Sequence, residues 1–212
     1  VIAWGCLRGH PRTAWLALWA SSLTPTGGVF GALSAVLCER EGRRRWLFAG
    51  GSVLLWLPWA VPSLLSGSSR AAGDPASQAA AFAPRAEAYA GTVGSLLGFG
   101  GIWNAAAVPA SREAGFALVG LVVAVLAVLG ASSLDRGELR PLAVLASVGM
   151  GLAILGGIAP GVTAFAVDHI PGAGLLRDSS KLTLLALPLA VAGIGALRHL
   201  SDALALCACL LQ

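Results

Sequence analysis

Charge is what this sequence has least of. Of its 212 residues only 11% are Asp, Glu, Lys or Arg, while 57% are hydrophobic and the mean hydropathy is +0.80. An ordinary soluble domain carries about 25% charged residues, so this chain cannot cover a globule of its own size with charge. A soluble enzyme and a disordered tail are thereby excluded. Nucleic-acid binding is excluded too. The formal net charge is +4, but the basic residues are not gathered on one polar face. Lysine occurs once beside thirteen arginines, and Met and Tyr occur once each. Ala, Gly, Pro and Arg are abundant instead, a preference that follows GC-rich codons and points to a high-GC bacterium. Cysteine is sparse and unpatterned: Cys6, Cys38, Cys207 and Cys209 lie in apolar blocks or at their ends. No second Cys or His pair completes a metal site, and the four read as small apolar filler. No cofactor is identified, and a bound divalent metal stays open.

Long apolar blocks separated by short basic loops are what is present. A spanning helix needs roughly 20 apolar residues. Val1–Leu7 reads as the tail of one span and the block from Ala203 to Gln212 as the start of another, so the chain reads as an internal fragment of a larger polytopic protein. Between them the expected spans are Trp46–Leu65, Ala114–Leu134, Pro141–Val167 and Leu182–Leu197. Thr13–Cys38 either crosses once with a kink or turns at Thr24-Pro25-Thr26-Gly27-Gly28, a strong punctuator. The fold class is therefore all-α, a polytopic transmembrane helical bundle with about five to seven spans. Residues 1–212 form one transmembrane domain.

Basic residues orient the map, because short Arg-rich loops stay in the cytoplasm. Arg40, Arg43, Arg44, Arg45, Arg136, Arg140 and Arg198 fall on that side, and Arg177 and Lys181 on the other. Arg8 and Arg12 join the larger group only if residues 13–38 form a hairpin, the arrangement this rule favours. Trp46, Trp56 and Trp59 fit interfacial anchors. Two extracytoplasmic loops result, a long one over residues 66–113 and a short one over 168–181. Within the first, Gly94–Val108 is too apolar for a solvated linker; it lies in the membrane interface or packs back on the bundle. The pairs Gly27/Gly31 and Gly157/Gly161 are spaced for close helix contact.

Two segments could carry chemistry. In the loop 168–181, Arg177 and Lys181 stand four apart, so on one helical turn they share a face. A helix N-terminus at the membrane surface also favours an anion, and two cations with free N–H groups suit a phosphate. Asp178 and His169 complete that candidate set; the plain alternative is that Asp178 pairs with Lys181 and Arg177 meets lipid headgroups. The second segment is Gly100-Gly101-Ile102-Trp103-Asn104. Paired glycines let backbone approach a ligand closely, and an aromatic beside an amide can hold a sugar ring or lipid, so Gly100, Gly101, Trp103 and Asn104 are candidate acceptor or lipid contacts. The plain alternative there is an interfacial Trp with a capping Asn.

Several of these pieces together resemble the GT-C superfamily of bacterial membrane glycosyltransferases. Thr24-Pro25-Thr26-Gly27-Gly28 resembles the Pro-Thr-Gly turn of their middle helices. An Arg-rich cytoplasmic turn follows (Arg43-Arg44-Arg45-Trp46), then a helix ending in Leu57-Pro58-Trp59. The Gly100-to-Trp103 stretch and Leu176-Arg177-Asp178-Ser179-Ser180-Lys181 are similar to actinobacterial and YfhO-like integral membrane members. The resemblance spans roughly residues 8 to 200 and rests on pattern. It implies a multi-pass protein of the bacterial plasma membrane that moves a sugar from a polyprenyl-phosphate donor to a cell-envelope acceptor on the extracytoplasmic face. Arg177 and Lys181 would hold the carrier phosphate. The acidic catalytic residue of that superfamily lies in a first outer loop that nothing here matches, so the catalytic residue is unknown. The other readings are a transporter or flippase, and a non-catalytic scaffold whose outer loop binds a partner. The near absence of ionisable residues between the ends of the spans counts against ion coupling.

Overall fold

The structure, a computed structural model, describes residues 1–65, 74–170 and 172–197; the apolar block beginning at Ala203, with Cys207 and Cys209, lies outside them. Helix makes up 79% of the structure, with no strand among the described residues. Among the described residues ten α-helices run α1 (Ile2–Leu7), α2 (Pro11–Ser21), α3 (Pro25–Cys38), α4 (Gly42–Leu65), α5 (Pro75–Ala81), α6 (Gly91–Leu97), α7 (Ala117–Ala131), α8 (Arg136–Ile158), α9 (Pro160–His169) and α10 (Leu187–Ala196). Four helical stretches among the described residues are long and apolar enough to cross a membrane: Gly42–Leu65, Arg112–Ala131, Arg136–Ile158 and Ser179–Ala196. This is the pattern of a multi-pass membrane protein. Leu118, Val122, Val125 and Val128 on α7 and Val53 and Leu54 on α4 point outward, as helix faces turned to lipid do.

Residues 13–38 break in two. Pro25 sets the first turn of α3, Thr24 caps it by accepting from the Gly27 N–H at 3.1 Å, and α2 stops at Ser21. With 11 and 14 residues, the two helices are about 17 and 21 Å long at 1.5 Å per residue, short of the ~30 Å hydrocarbon core. Both begin and end the same way round: Arg8, before α2, pairs with Glu138 at 3.1 Å, and Arg40, after α3, approaches Asp135 at 3.8 Å. Glu138 and Asp135 both stand at the start of α8, which Asp135 caps through the N–H groups of Gly137 and Glu138. The segment is therefore a helical hairpin whose two feet meet one end of the bundle. Its tip packs under α4, where Trp59 Nε1 donates to the Ser22 carbonyl at 3.3 Å and the Trp56 indole nitrogen lies against Gly28. Trp56 and Trp59 thus hold the hairpin; Trp46, at the other end of α4, is exposed.

The expected span over 141–167 is also divided. Pro160 pushes the residue before it out of the α region, and Ala159 (φ −136°, ψ 64°) ends α8 and starts α9. The segment 66–113, expected as a long loop, folds in its described part into α5, α6, a 3-10 turn at Ala105–Ala107 and a π-turn at Arg112–Phe116 that leads into α7. α6 packs on α7 and α8, so the apolar stretch beginning at Gly94 lies back on the bundle. A core of Ala3, Cys6, Ala14, Leu18, Ala35, Cys38, Phe48, Leu142, Leu145 and Leu185 joins the hairpin to α4, α8 and the 3-10 segment Ser179–Ala186.

Small residues set the tightest crossings, the expected Gly27/Gly31 pair among them, since a Cβ at either would run into Ser21. Gly130 on α7 and Gly193 on α10 meet backbone to backbone: a Cβ on Gly193 would overlap the Ala127 carbonyl, and one on Gly130 the Gly193 carbonyl. Gly31 does pack, against Leu18 and Ser21, whereas nothing lies within 4 Å of a Cβ at Gly161.

Candidate functional site

The two segments singled out from the sequence meet at the end of α8 away from Arg8 and Arg40. α8 has 23 residues, about 35 Å at 1.5 Å each. At its last turns Gly156 packs on Ser179, and Gly157 on Thr92 and Pro84. That contact carries the Asp178–Lys181 corner and the loop before α6 to one place. Trp103 Nε1 then donates to Asp178 Oδ2 at 3.2 Å, a bond across 75 positions of sequence.

Local geometry decides which charges face one another there. Ser179–Ala186 is 3-10 and not α-helical, and in a 3-10 helix residues three apart eclipse. Lys181 therefore stands over Asp178, with Nζ 2.8 Å from Oδ2. Asp178 is 13% exposed, and it also accepts from Ser180 Oγ at 2.8 Å. Lys181 remains 57% exposed. Arg177 turns the other way. Its Nη1 donates to Gln78 Oε1 at 2.8 Å, and its guanidinium lies 4.4 Å from the Phe82 ring centroid. Phe82 in turn meets Trp103 edge-on at 4.6 Å. Arg177 thus buttresses the wall behind Trp103, while Lys181 faces open space. His169 stands apart at the end of α9, exposed, stacked on Phe165 and 2.9 Å from its carbonyl. Asn104 caps the short 3-10 turn through the Ala106 N–H.

A second charged group, unremarked in the sequence, borders the same space. Glu87 is 5% exposed and takes hydrogen bonds from the Gly101 N–H at 2.8 Å and from Arg112 Nε at 2.7 Å; Arg112 Nη2 lies 2.6 Å from its Oε2. Arg112 Nη2 also reaches the Gly98 carbonyl at 3.4 Å. Gly101 has φ +78°, a left-handed conformation that favours glycine, and a Cβ on Gly100 would run into Arg112 and Glu87. The glycine pair does bring backbone close to something, but that something is the Glu87–Arg112 pair. Sequence gave a faint signal: two charges in a chain poor in them, on either side of an apolar stretch.

Together these groups enclose a cleft of about 370 Å³, walled by Glu87, Trp103, Arg112, Asp178 and Lys181 and floored by apolar side chains such as Val108 and Leu184. Two carboxylates, two cations and an indole can hold a polar headgroup by hydrogen bonds and charge. No group of three His, Cys, Asp or Glu residues able to hold a metal ion occurs among the described residues. No family model, curated protein or solved structure matches this chain.

Proposed function

We propose that this cleft is the substrate site of a membrane glycosyltransferase of the GT-C kind, acting on a sugar carried by polyprenyl phosphate and passing it to a cell-envelope acceptor. In this reading the arginine-bearing end of the bundle faces the cytoplasm, the cleft opens on the extracytoplasmic face of a bacterial plasma membrane, and about five to seven spans surround it. The observation that carries the reading is the Trp103–Asp178–Lys181 junction. It joins an indole, suited to a sugar face, to an exposed ammonium suited to a phosphate, at one end of a set of membrane-length helices. Lys181 holds the phosphate. Asp178 and Glu87 are acceptors for sugar hydroxyls. Arg177 and Phe82 keep the indole in place, and Asn104, Gly100 and Gly101 shape its loop. His169 lies outside this arrangement. No residue is assigned as catalytic base.

The test is transfer of a radiolabelled sugar from polyprenyl phosphate in vesicles carrying the chain. Lys181→Ala and Trp103→Phe each lower transfer about tenfold, the effect of losing roughly 1.4 kcal/mol. Undiminished transfer in both variants would remove the reading.

A further inference from the structure

The last turn of α8, with Gly156 buried, ends in a break. Ala159 leaves the helix (φ −136°, ψ 64°) and Pro160 starts α9. The Ala159 N–H takes the Leu155 carbonyl at 2.9 Å. The Gly156 carbonyl loses its ordinary donor, because the residue four on is Pro160, which carries no N–H. The last carbonyls of a helix lack intrahelical partners and form the negative end of its dipole. A basic side chain in the last turn commonly answers that charge, and α8 has none there. Two hydroxyls lie against the same glycine. A Cβ on Gly156 would run into Ser179 Oγ and would stand 3.5 Å from Thr163 Oγ1. Ser179 is 2% exposed and Thr163 9%. Most buried hydroxyls of this chain are spent: Ser22, Ser52, Ser95, Ser180 and Thr183 each donate to a nearby oxygen. Ser179 Oγ and Thr163 Oγ1 make no hydrogen bond among the described residues. The other buried hydroxyl of that kind, Ser34, lies apart on α3. A buried polar atom without a partner is costly, and here two of them converge on a carbonyl that has lost its donor.

We infer that the break between α8 and α9 is a binding site for one alkali cation, Na+, held by the Gly156 carbonyl, Ser179 Oγ and Thr163 Oγ1. Donor chemistry selects the ion. All three oxygens are hard and neutral, which suits a monovalent hard cation. Ca2+ and Mg2+ are ordinarily held through carboxylates, and soft metals through sulfur or imidazole. Asp178, next to Ser179, is matched by Lys181 and adds no net charge. Broken membrane helices use freed carbonyls and C-terminal helix ends for Na+ in this way. A site of neutral oxygens needs no ionisable residue within a span, so the scarcity of such residues does not count against it. The cation ties α8, α9 and the Ser179 corner together, and the inference stands apart from the reading of the cleft.

The test takes the chain in phosphatidylcholine nanodiscs from choline chloride into NaCl or KCl at constant ionic strength. Hydrogen exchange is followed over residues 159–163 and 176–183. Na+ slows exchange in both segments about tenfold, as a ligand of the folded state does, and acts at a lower concentration than K+. Thr163→Val and Ser179→Ala each remove one oxygen and little volume, and each raises the half-maximal Na+ concentration about tenfold or more. Ser34→Ala, which removes the buried hydroxyl away from the break, leaves that concentration unchanged. Exchange that is the same in Na+ and in choline would overturn the site and leave a buried water as the partner of the two hydroxyls. So would a Na+ response that survives both variants, since the cation would then bind elsewhere.

Discussion

The two ends of α8 carry similar charges and use them differently. At the Arg8 end, Arg40 and Asp135 are 53% and 64% exposed and 3.8 Å apart, and Arg44 pairs with Glu41 within one turn of chain. Such pairs contribute about 0–1 kcal/mol each. At the other end Glu87 and Asp178 are nearly covered, and each takes several hydrogen bonds. A membrane protein needs exposed arginines merely to fix its orientation. The Arg8 end has covered carboxylates too, Glu39 at 4% and Glu138 at 13%, so the two ends differ chiefly in their cations: exposed arginines at the Arg8 end, a largely covered Arg112 at the other.

The sharpest way to break that contrast is to remove one charge from each end. Glu87→Ala takes the carboxylate from Arg112 and orphans the Gly101 N–H; breaking a buried pair costs about 3–5 kcal/mol, and the 23% exposure of Arg112 places this one at or below the low end. A large fall in the detergent melting temperature is expected. Arg40→Ala is expected to change it by less than about 1 kcal/mol equivalent. Equal effects would show that burial is not what separates the ends. A smaller loss is expected from Trp103→Phe, which keeps the ring against Phe82 and deletes the bond to Asp178. A hydrogen bond to a charged group contributes about 1.5–3 kcal/mol, and partial exposure places this one at the low end. Hydrogen exchange across residues 99–108 would register the loosening, and unchanged protection would show that ring packing alone holds the loop.

Between these lies Arg8→Ala. Its partner Glu138 is well covered but Arg8 is mostly exposed, so solvent screens the pair and the expected loss is about 1 kcal/mol. The variant also bears on the hairpin, because Arg8 ties its first foot to α8. A rise in labelling of a cysteine placed at position 12, with none at position 43, would show the foot released alone. Rises at both positions would mean the end moves as one body.

Much of this contrast was legible in the residues. Long apolar blocks and short arginine turns gave the membrane class, and the positive-inside rule grouped Arg8 with Arg40 and Arg136 once residues 13–38 were read as a hairpin. Trp103 and Lys181 were visible as candidates. Their meeting was not, because it depends on α8 placing Gly156 against Ser179. Nor was the choice of Lys181 over Arg177. The four-residue spacing implied an α-helix, but Ser179–Ala186 winds as 3-10 and pairs residues three apart. Glu87 and Arg112 looked like ordinary loop charges, since nothing in sequence says that positions 25 apart will share a hydrogen bond. The break at Ala159 was written in Pro160, yet the apolar run hid it. The glycines at 130 and 193 lie 63 positions apart, beyond any local spacing rule.

The gentlest probe of the contrast is pH, applied at an exposed carboxylate of the Glu87 end. Asp74 caps α5, the helix that carries Gln78 to Arg177. The Ser77 hydroxyl donates to it at 2.6 Å, and the N–H groups of Ser77 and Ala76 donate as well. These bonds favour the ionised form and hold the carboxyl below its ordinary value. A carboxyl whose folded value is depressed stabilises the fold fully above its unfolded value and loses that contribution as pH falls through the folded one. The cap should thus persist through neutral pH and fray only in acid, and the effect is small because the group is fully exposed to solvent. Carbon-detected NMR titration of Asp74 is expected to give a midpoint below that of a free aspartate, and Ser77→Ala to move it back up. An unshifted midpoint in the native chain would show that α5 is capped by geometry alone. The Glu87 end would then owe its order to its covered carboxylates and nothing to its exposed ones.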